Sequence, residues 1–506
     1  MGTNAPGIQA TINTRPIGQP APAQGSDFFF VIGWSLFGPV ETPTLVTGWT
    51  DYVSKFGGFH SNSEMANAVY LFFKNGGRRA WIVRAATGGT APFLNLVDRA
   101  GAPVSTLKIA AKYSSLLADF TYIVAAGDMA NTINLTVESL TLNIKEVFKN
   151  LKITLTSAET EAIAAGNSPL YSIARVNAES RLVVLTNLNS ATVAPNNLPA
   201  LGNGTLTGGA DDITQITSLD NALATLSELY GTGTIAAPGF PSFTAALVAH
   251  AENFKRIAIV EIPDTSDTNA ELVTYRATID SSFAAAYYPP RIQMRDFKGS
   301  NQVKSYLPTG AVAGIYAKAE QEIGIHKAPA NYRLAEVVGW DMTMFGAMNE
   351  AQREFLNERQ INAIALIPEQ GIKIYGARVM KSYGQITALH EQRILNAIYY
   401  RLKRSLQGFV FEPANQQLFR ELRSVCSQYL RELYQSGALY SANGTKDAAF
   451  RVVCDESNNP PEQLQQNRVS VEVWVHLVGM AEVIVLSINS APLATNFNSL
   501  ITGGDN

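Results

Sequence analysis

The residue types that most often perform chemistry are few and scattered in this chain. Five histidines are present: His60, His250, His326, His390 and His476. None has a second histidine three or four residues on, and Ile394 stands where the second ligand of a zinc-binding helix beginning at His390 would be. Cys426 and Cys454 lack metal-ligand spacing and are too few for a disulfide framework, so we expect two reduced, buried thiols. We therefore predict no metal site.

Glycine-rich and acidic motifs are equally weak as catalytic signals. GTGTIA, from Gly231, resembles a dinucleotide-binding pattern, but it follows a predicted helix and leads into a strand, the reverse of the order that places a pyrophosphate at a helix N-terminus. NGTLTGGADD lacks the Lys-Ser/Thr of a phosphate-binding loop, and no G-x-S-x-G nucleophile elbow occurs. We expect Asp211 and Asp212 to be solvated turn carboxylates, and Asp455 and Glu456 to cap or form a turn.

These absences predict a protein that is not an enzyme and needs no cofactor. An α/β enzyme with a nucleotide site around residues 231–239 is the alternative from a different functional class. It would bind a saturable small ligand and form a monomer or a closed oligomer.

The composition and charge of the chain argue against nucleic acid and membranes as binding partners. The 506 residues are 46% hydrophobic and 16% charged, which is enough for several buried cores and suggests three or four domains. Because the net charge is −3 and the pI is near 6, there is no basic excess of the kind that holds nucleic acid or an anionic membrane. The sequence shows neither a signal-peptide pattern nor a run of about 18 apolar residues. We therefore expect no membrane insertion and synthesis in the cytoplasm.

The first 27 residues predict a strand on a tether. Ile8, Ala10 and Ile12 alternate with polar residues, as in a short strand. Prolines and glycines then alternate through residues 16–26, where they prevent a helix. Extended at about 3.3 Å per residue, these eleven residues span about 35 Å, so the strand could pair far from its own fold.

Apolar runs and helical periodicities predict a multidomain α/β (α+β) protein. Residues 28–87 form the first part of an α/β domain, with a buried strand FFFVIGW, a helix ending at Gly76 and a strand RAWIVRA. Residues 88–210, rich in Thr, Asn and Leu, are predicted to form an inserted β-rich domain that ends in a glycine-rich junction. Residues 211–345 continue the α/β domain, residues 346–490 form a C-terminal domain, and residues 491–506 form a tail.

Two strands near the end of the chain leave a sheet unfinished. Val469, Val471, Val473, Val475 and Leu477 alternate with polar residues, which is the period of a strand. Residues 483–488, including Val483, Val485 and Ile488, are apolar on both faces, as in a strand inside a sheet. Since two strands alone are marginal in water, we expect further strands to complete this sheet.

Two helices predicted over residues 387–405 and 414–435 carry a local basic excess. The basic residues are Arg393, Arg401, Lys403, Arg404, Arg420, Arg423 and Arg431. Four acidic residues accompany them: Glu391, Glu412, Glu421 and Glu432. This pattern indicates either an ordinary solvated face or a docking face for an acidic protein partner, because modest charge steers and registers surfaces.

Long blocks of the sequence, in this order, resemble contractile tail sheath proteins of bacteriophages and related injection systems. The blocks are PGIQATI, FFFVIGWSLFGPVETPTLVTGWTDYVSKFGG, AVYLFFKNGGRRAWIVR, HKAPAN, INAIALIPEQGIKIYGAR, FVFEPANQQLFRELR and CDESNNPPEQLQQNRVSVEVWVHLVGMAEVIVLSI. The resemblance covers most of the chain outside roughly residues 88–210, the part most variable in that family.

The resemblance implies a structural protein of the virion tail, assembled in the host cytoplasm. Such subunits stack as hexameric rings around an inner tube, contact baseplate and tail terminator proteins, and contract to drive the tube through a cell envelope for genome ejection. Arms of neighbouring subunits complete the C-terminal sheet. Here Ile8, Ala10 and Ile12 would be the donated strand, and the two terminal strands its hosts. The seven basic residues are candidates to face the tube, and a sheath of a non-phage injection device is an alternative.

Overall fold

The computed structural model describes residues 26–482 except 167, 212–215, 267, 298, 301, 341–347 and 385. In this part of the chain the strands are β1 (Phe28–Gly33), β2 (Thr44–Val46), β3 (Ala80–Arg84), β4 (Phe93–Val97), β5 (Ser105–Ala111), β6 (Phe120–Ala126), β7 (Ile133–Ser139), β8 (Ile144–Lys152), β9 (Tyr171–Ser172), β10 (Val183–Asn187), β11 (Gly202–Thr205), β12 (Gly233–Ala236), β13 (Ile257–Val260), β14 (Ala284–Tyr288), β15 (Ile292–Arg295), β16 (Val303–Tyr306), β17 (Val337–Gly339), β18 (Ile361–Ile367), β19 (Gly371–Tyr375), β20 (Phe450–Val453) and β21 (Glu472–Val475).

The α-helices of the same residues fall between these strands. They are α1 (Trp49–Phe56), α2 (Glu64–Lys74), α3 (Ser157–Ala164), α4 (Ile173–Glu179), α5 (Asp220–Thr225), α6 (Thr244–Phe254), α7 (Asn269–Ala277), α8 (Thr309–Glu322), α9 (Glu350–Glu358), α10 (Leu389–Leu406), α11 (Gln416–Gln435) and α12 (Pro461–Gln465). The mixed α/β, multidomain class predicted from the sequence is confirmed.

An eight-stranded, mostly parallel sheet organises the largest core. Its order is β19-β18-β14-β13-β12-β1-β3-β2, with only the edge strands β19 and β2 antiparallel to their neighbours. β1 is buried along its whole length, as expected for an apolar strand covered on both faces. In the sheet, β3 lies on one side of β1, whereas β13 lies on the opposite side of β12. Right-handed crossovers in these two directions place α2 and α6 on opposite faces of the sheet.

Helix α8 packs tightly on α2. A Cβ added at Gly310 would lie 1.9 Å from the carbonyl oxygen of Ala68, so only glycine permits this approach. The hydroxyls of Tyr287 in β14 and Tyr316 in α8 are 2.8 Å apart, which fixes α8 against the sheet. A small antiparallel sheet, β16-β15-β17, lies beside this layer.

Residues 93–205 build two antiparallel-rich sheets with a separate apolar core. The sheet orders are β10-β5-β4 and β11-β6-β7-β8-β9. Leu107, Ile109, Phe120, Leu135 and Val183 are buried in this core. The glycine-rich stretch predicted as a junction contains strand β11, which pairs with β6.

A buried ion pair joins this β-rich body to the parallel sheet. The Arg84 guanidinium at the end of β3 bonds the Asp211 carboxylate, and both side chains are fully buried. The expectation that Asp211 is a solvated turn carboxylate is therefore wrong, because a cation 127 residues away neutralises it inside the protein. Asp212 lies outside the described residues.

The last described elements pack α10 and α11 against the β20-β21 sheet. Cys426 and Cys454 are both free and buried, as predicted. Burial raises the pKa of the Cys426 thiol to about 11, which keeps it protonated and unreactive. Among the described helices, none combines the length and the apolar character that a membrane span requires.

Candidate assembly interface

The sheet near the end of the described chain has two strands among those residues. β20 and β21 pair antiparallel with Val452 opposite Val473 and Phe450 opposite Val475. Val471, Val473, Val475 and Leu477 pack against the core between α10 and α11, whereas Trp474 on the other face is 65% exposed. The alternation of apolar and polar faces predicted for this strand is confirmed.

Neither long edge of this sheet has a further strand within residues 26–482. Among the described residues, Leu439 pairs with Leu477 at one end of the sheet, where the Tyr440 amide donates to the His476 carbonyl at 2.8 Å. Unpaired edge groups are a ready template for another strand. Ile8, Ala10 and Ile12, and likewise Val483, Val485 and Ile488, lie outside the described residues.

Two contacts not foreseen from the sequence hold the chain as it leaves β21. The buried His390 imidazole on α10 donates from Nε2 to the Val478 carbonyl oxygen at 2.9 Å. Burial lowers the pKa of His390, so the ring stays neutral. The Arg378 guanidinium bonds the Glu482 carboxylate. These contacts direct residues 478–482 along α10 and the end of β19.

The predicted tube-facing cations differ in exposure and in the groups that they contact. Lys403, Arg404, Arg420 and Arg431 are exposed, whereas Arg401 and Arg423 are half-buried. Lys403 pairs with Glu228 at 2.7 Å, and an Arg423 nitrogen lies 3.9 Å from an Asp455 carboxylate oxygen. The Arg401 guanidinium lies 5.8 Å from the Tyr429 ring centroid.

Arg393 is the exception, and its predicted role must be corrected. Its side chain is buried on α10, pairs with Glu320 of α8 at 2.6 Å, and lies 5.2 Å from the Tyr316 ring centroid. A residue that ties α10 to α8 inside the subunit cannot present its charge to a tube. We therefore remove Arg393 from the tube-facing set.

The described residues leave little space for the alternative nucleotide site at the edge of the parallel sheet where such ligands bind. Ligands of such sheets bind where the strand order reverses, beyond the carboxyl ends of β1 and β12. There, a side chain at Gly33 would meet Met65 at 3.1 Å and one at Gly239 would meet Glu64 at 3.2 Å. The adjoining cavity, lined by Glu261 and Thr309, measures about 10 Å³, the space of one water molecule.

Charge also opposes a phosphate at this edge. The Glu261 carboxyl accepts from the Gly239 amide at 3.2 Å and from the Thr309 hydroxyl at 3.3 Å. Burial raises the pKa of Glu261 to about 7. As predicted, Gly231 precedes strand β12 and does not open a helix, so the glycine motif cannot cradle a pyrophosphate.

The curated proteins similar in sequence to this chain carry the same name, tail sheath protein. No protein-family model matches the chain. It is 23% identical over 202 residues to the tail sheath protein of Enterobacteria phage T4, which is 40% of this chain and 29% of that protein. It is 21% identical over 236 residues to the tail sheath protein of Vibrio phage KVP40, which is 46% of this chain and 33% of that protein. The match thus spans about a third of the length of these curated relatives.

Solved structures match over most of the chain. The sheath tail protein Lin1278 from Listeria innocua is similar over 86% of this chain and 90% of that chain, with a TM-score of 0.60 and 14% identity. The helical sheath of the anti-feeding prophage in its contracted state is similar over 97% of this chain and all of that chain (100%), with a TM-score of 0.56 and 17% identity. These proteins are sheath components rather than enzymes. The chain therefore has the fold of contractile sheath proteins, and its predicted resemblance to the tail sheath family is confirmed.

Proposed function

We propose that the chain is the structural subunit of a contractile tail sheath. It polymerises as stacked hexameric rings around an inner tail tube, and contraction of the polymer drives the tube through a host cell envelope for genome ejection. Its further partners are baseplate and tail terminator proteins, and it binds no nucleic acid directly. It is made in the host cytoplasm and resides in the virion tail.

The unfinished β20-β21 sheet is the observation that carries this proposal. Among the described residues this sheet has two strands, one buried face and no further strand on either long edge. Such a sheet is marginal by itself and can accept strands from other chains. The arm with Ile8, Ala10 and Ile12 on its proline-glycine tether is the donor, and Val469, Val471, Val473 and Val475 belong to the host. A donor and an acceptor on one chain give a heterologous contact that propagates.

Contraction then needs no nucleotide. The energy is stored in differences between subunit contacts in two lattices, while strands exchanged between subunits keep the rings joined. About 2 kcal/mol per subunit, a common size for coupling between two states, sums to roughly hundreds of kcal/mol over a tail of many rings.

Deletion of residues 1–15 tests the proposal. The truncated protein should keep the circular dichroism spectrum and melting behaviour of the full chain, because the described residues already form sheets and helices around buried cores of their own. Under negative-stain microscopy it should form no tubes, whereas the full chain forms long tubes. A truncated protein that polymerises normally would show that the sheet is completed in another way. Compact particles from the full chain would favour the enzyme alternative.

The six predicted cations of α10 and α11 other than Arg393 are proposed to face the inner tube in the extended state. Reversal of Arg420 and Arg423 to Glu should weaken assembly on tubes and leave tube-free polymers intact, because charge steers docking without making the sheath-sheath contacts. Lys145→Glu, a reversal of a 58% exposed side chain on the β-rich body, is the control. Unchanged co-assembly of the double variant would refute this placement.

A sheath of a non-phage injection device is the second candidate. The similarity to the anti-feeding prophage sheath and to the sheath of an extracellular contractile injection system, PVC, favours it. The genes beside the one for this chain decide between the two, since capsid and DNA-packaging genes accompany a phage.

A further inference from the structure

A basic cleft opens on the α8 side of the parallel sheet. It measures about 450 Å³ and lies between the end of α2, the middle of α8 and residues 333–335. Its cationic lining residues are Lys74, Arg78, Lys318 and Arg333. Lys74 pairs with Glu336 at 3.2 Å and Lys318 lies 3.9 Å from Glu322. Arg78 and Arg333, both exposed, make no ion pair with any described residue. The cleft thus holds more positive charge than its own carboxylates neutralise.

The backbone makes room for one of these cations. Gly371, at the start of β19, has a φ of 83°, and a Cβ there would lie 3.1 Å from Nε of Arg333. Glycine is the residue that accepts both the left-handed conformation and this close approach. The glycine therefore lets the Arg333 side chain pass close to β19, where it lines the cleft.

Helix α9 carries an acidic stripe. Glu350, Glu354 and Glu358 are exposed and follow each other at four-residue spacing, so they share one face of the helix. Arg353 packs inward, 5.4 Å from the Tyr375 ring centroid. Arg359 lies 3.8 Å from the Phe355 ring centroid and pairs with the Glu358 carboxylate at 3.3 Å. Glu350 and Glu354 make no ion pair with any described residue. Like charges at this spacing destabilise an isolated helix. An external cationic surface would relieve that repulsion.

The stripe and the cleft lie on opposite faces of the sheet. Tyr287 points to α8, since its hydroxyl contacts Tyr316. The next residue, Tyr288, points to the opposite face, because side chains alternate along a strand. Tyr288 pairs with Ala363 of β18, and Ala363 pairs with Tyr375 of β19. Paired residues share a face, so Tyr375 points away from α8. Arg353 packs on Tyr375, which places α9 on that far face. The acidic stripe therefore cannot reach the basic cleft of its own subunit.

We propose that the acidic stripe of α9 docks in the basic cleft of a second copy of this chain. Neighbouring Glu354 and Glu358 carboxylates would meet Arg333 and Lys318. A contact between two different faces is heterologous, so it repeats head to tail into a ring or a helical array and does not end at a two-fold dimer. This inference rests on the proposed function, in which the chain polymerises, and adds a charge-based contact to the strand exchange.

Charge reversal tests the contact. In full-length protein, the stripe variant Glu354→Lys with Glu358→Lys, and the cleft variant Lys318→Glu with Arg333→Glu, should each raise the critical concentration for polymerisation at least about tenfold. A tenfold change in critical concentration corresponds to about 1.4 kcal/mol of association free energy. Such a loss is modest when two attractive ion pairs become two pairs of like charges. The chain carrying all four substitutions should return to within about threefold of wild type, because the complementary charges are restored with exchanged signs.

A matched control separates this contact from general electrostatics. Asp128→Lys with Glu161→Lys makes the same change in net charge as the stripe variant, at two exposed sites on the β-rich body, and it should leave the critical concentration unchanged. Melting curves establish that each variant is folded. If the wild type polymerises and both reversals polymerise equally well, the contact is refuted while the proposed function stands. Failure of the four-substitution chain to recover would also refute the pairing. A wild type that never polymerises would overturn both proposals.

Discussion

Replacing Arg84 by Met should weaken the joint between the parallel sheet and the β-rich body. In the native protein the Arg84 guanidinium donates to the carbonyls of Ser35 at 3.1 Å, Gly38 at 2.7 Å and Ser114 at 2.8 Å, and it bonds the Asp211 carboxylate. Burial lowers the pKa of Arg84, and the neighbouring Asp211 carboxylate opposes that shift.

Methionine fills much of the volume but donates nothing. Three buried carbonyls lose a charged donor and the Asp211 carboxylate stays buried without its cation, which costs about 3–5 kcal/mol. Adding Asp211→Asn removes the stranded charge, so the double variant should recover at least about 1 kcal/mol of this loss. The recovery distinguishes a buried-charge penalty from a simple loss of packing.

Urea unfolding and hydrogen exchange measure the two effects. The midpoint of unfolding should fall in Arg84→Met, and exchange should accelerate first in β4 and β5, whose body the pair anchors. A loss below about 1 kcal/mol, or equal losses in the single and the double variant, would refute the reasoning, because the isolated carboxylate would then carry no penalty.

The remaining predictions concern a buried acid and a helix contact. Because the pKa of Glu261 is raised to about 7, the folded state binds a proton that the unfolded state releases above about pH 4.5. Stability should therefore fall by up to about 3 kcal/mol as pH rises from 4.5 to 7, and melting curves of Glu261→Gln should lack this slope. Gly310→Ala should cost about 1–3 kcal/mol in urea unfolding, because its Cβ would overlap the Ala68 carbonyl. Gly48→Ala, with nothing within 4 Å, is its matched control.

Features set by neighbouring residues were predicted well from the sequence. A continuous apolar run predicted the buried strand β1, since a parallel sheet covered on both faces needs no polar side. The end of α2 was predicted from Gly76, which has a φ of 103°. The alternation near Val473 correctly predicted which face of β21 packs on the helices.

Features set by distant residues were missed. The glycine-rich stretch of β11 carries little strand propensity. It forms a strand because Gly204 accommodates the ring of Tyr122 on the neighbouring β6, where an added Cβ would lie 3.0 Å from the tyrosine hydroxyl. The pair of Arg84 with Asp211 likewise has no local signal, because either residue alone is typical of a surface.

The basic helices show why a charge count along the chain overstates a binding surface. Successive residues of a helix point about 100° apart, so cations close in sequence belong to different faces. Arg393 faces α8 and neutralises Glu320, and Lys403 reaches Glu228 near the parallel sheet. Arg404 and Arg420 are exposed and make no ion pair with a described residue. Any attraction of an acidic tube must therefore come from fewer charges than the seven counted, which is why reversal of only two arginines, Arg420 and Arg423, suffices to test it.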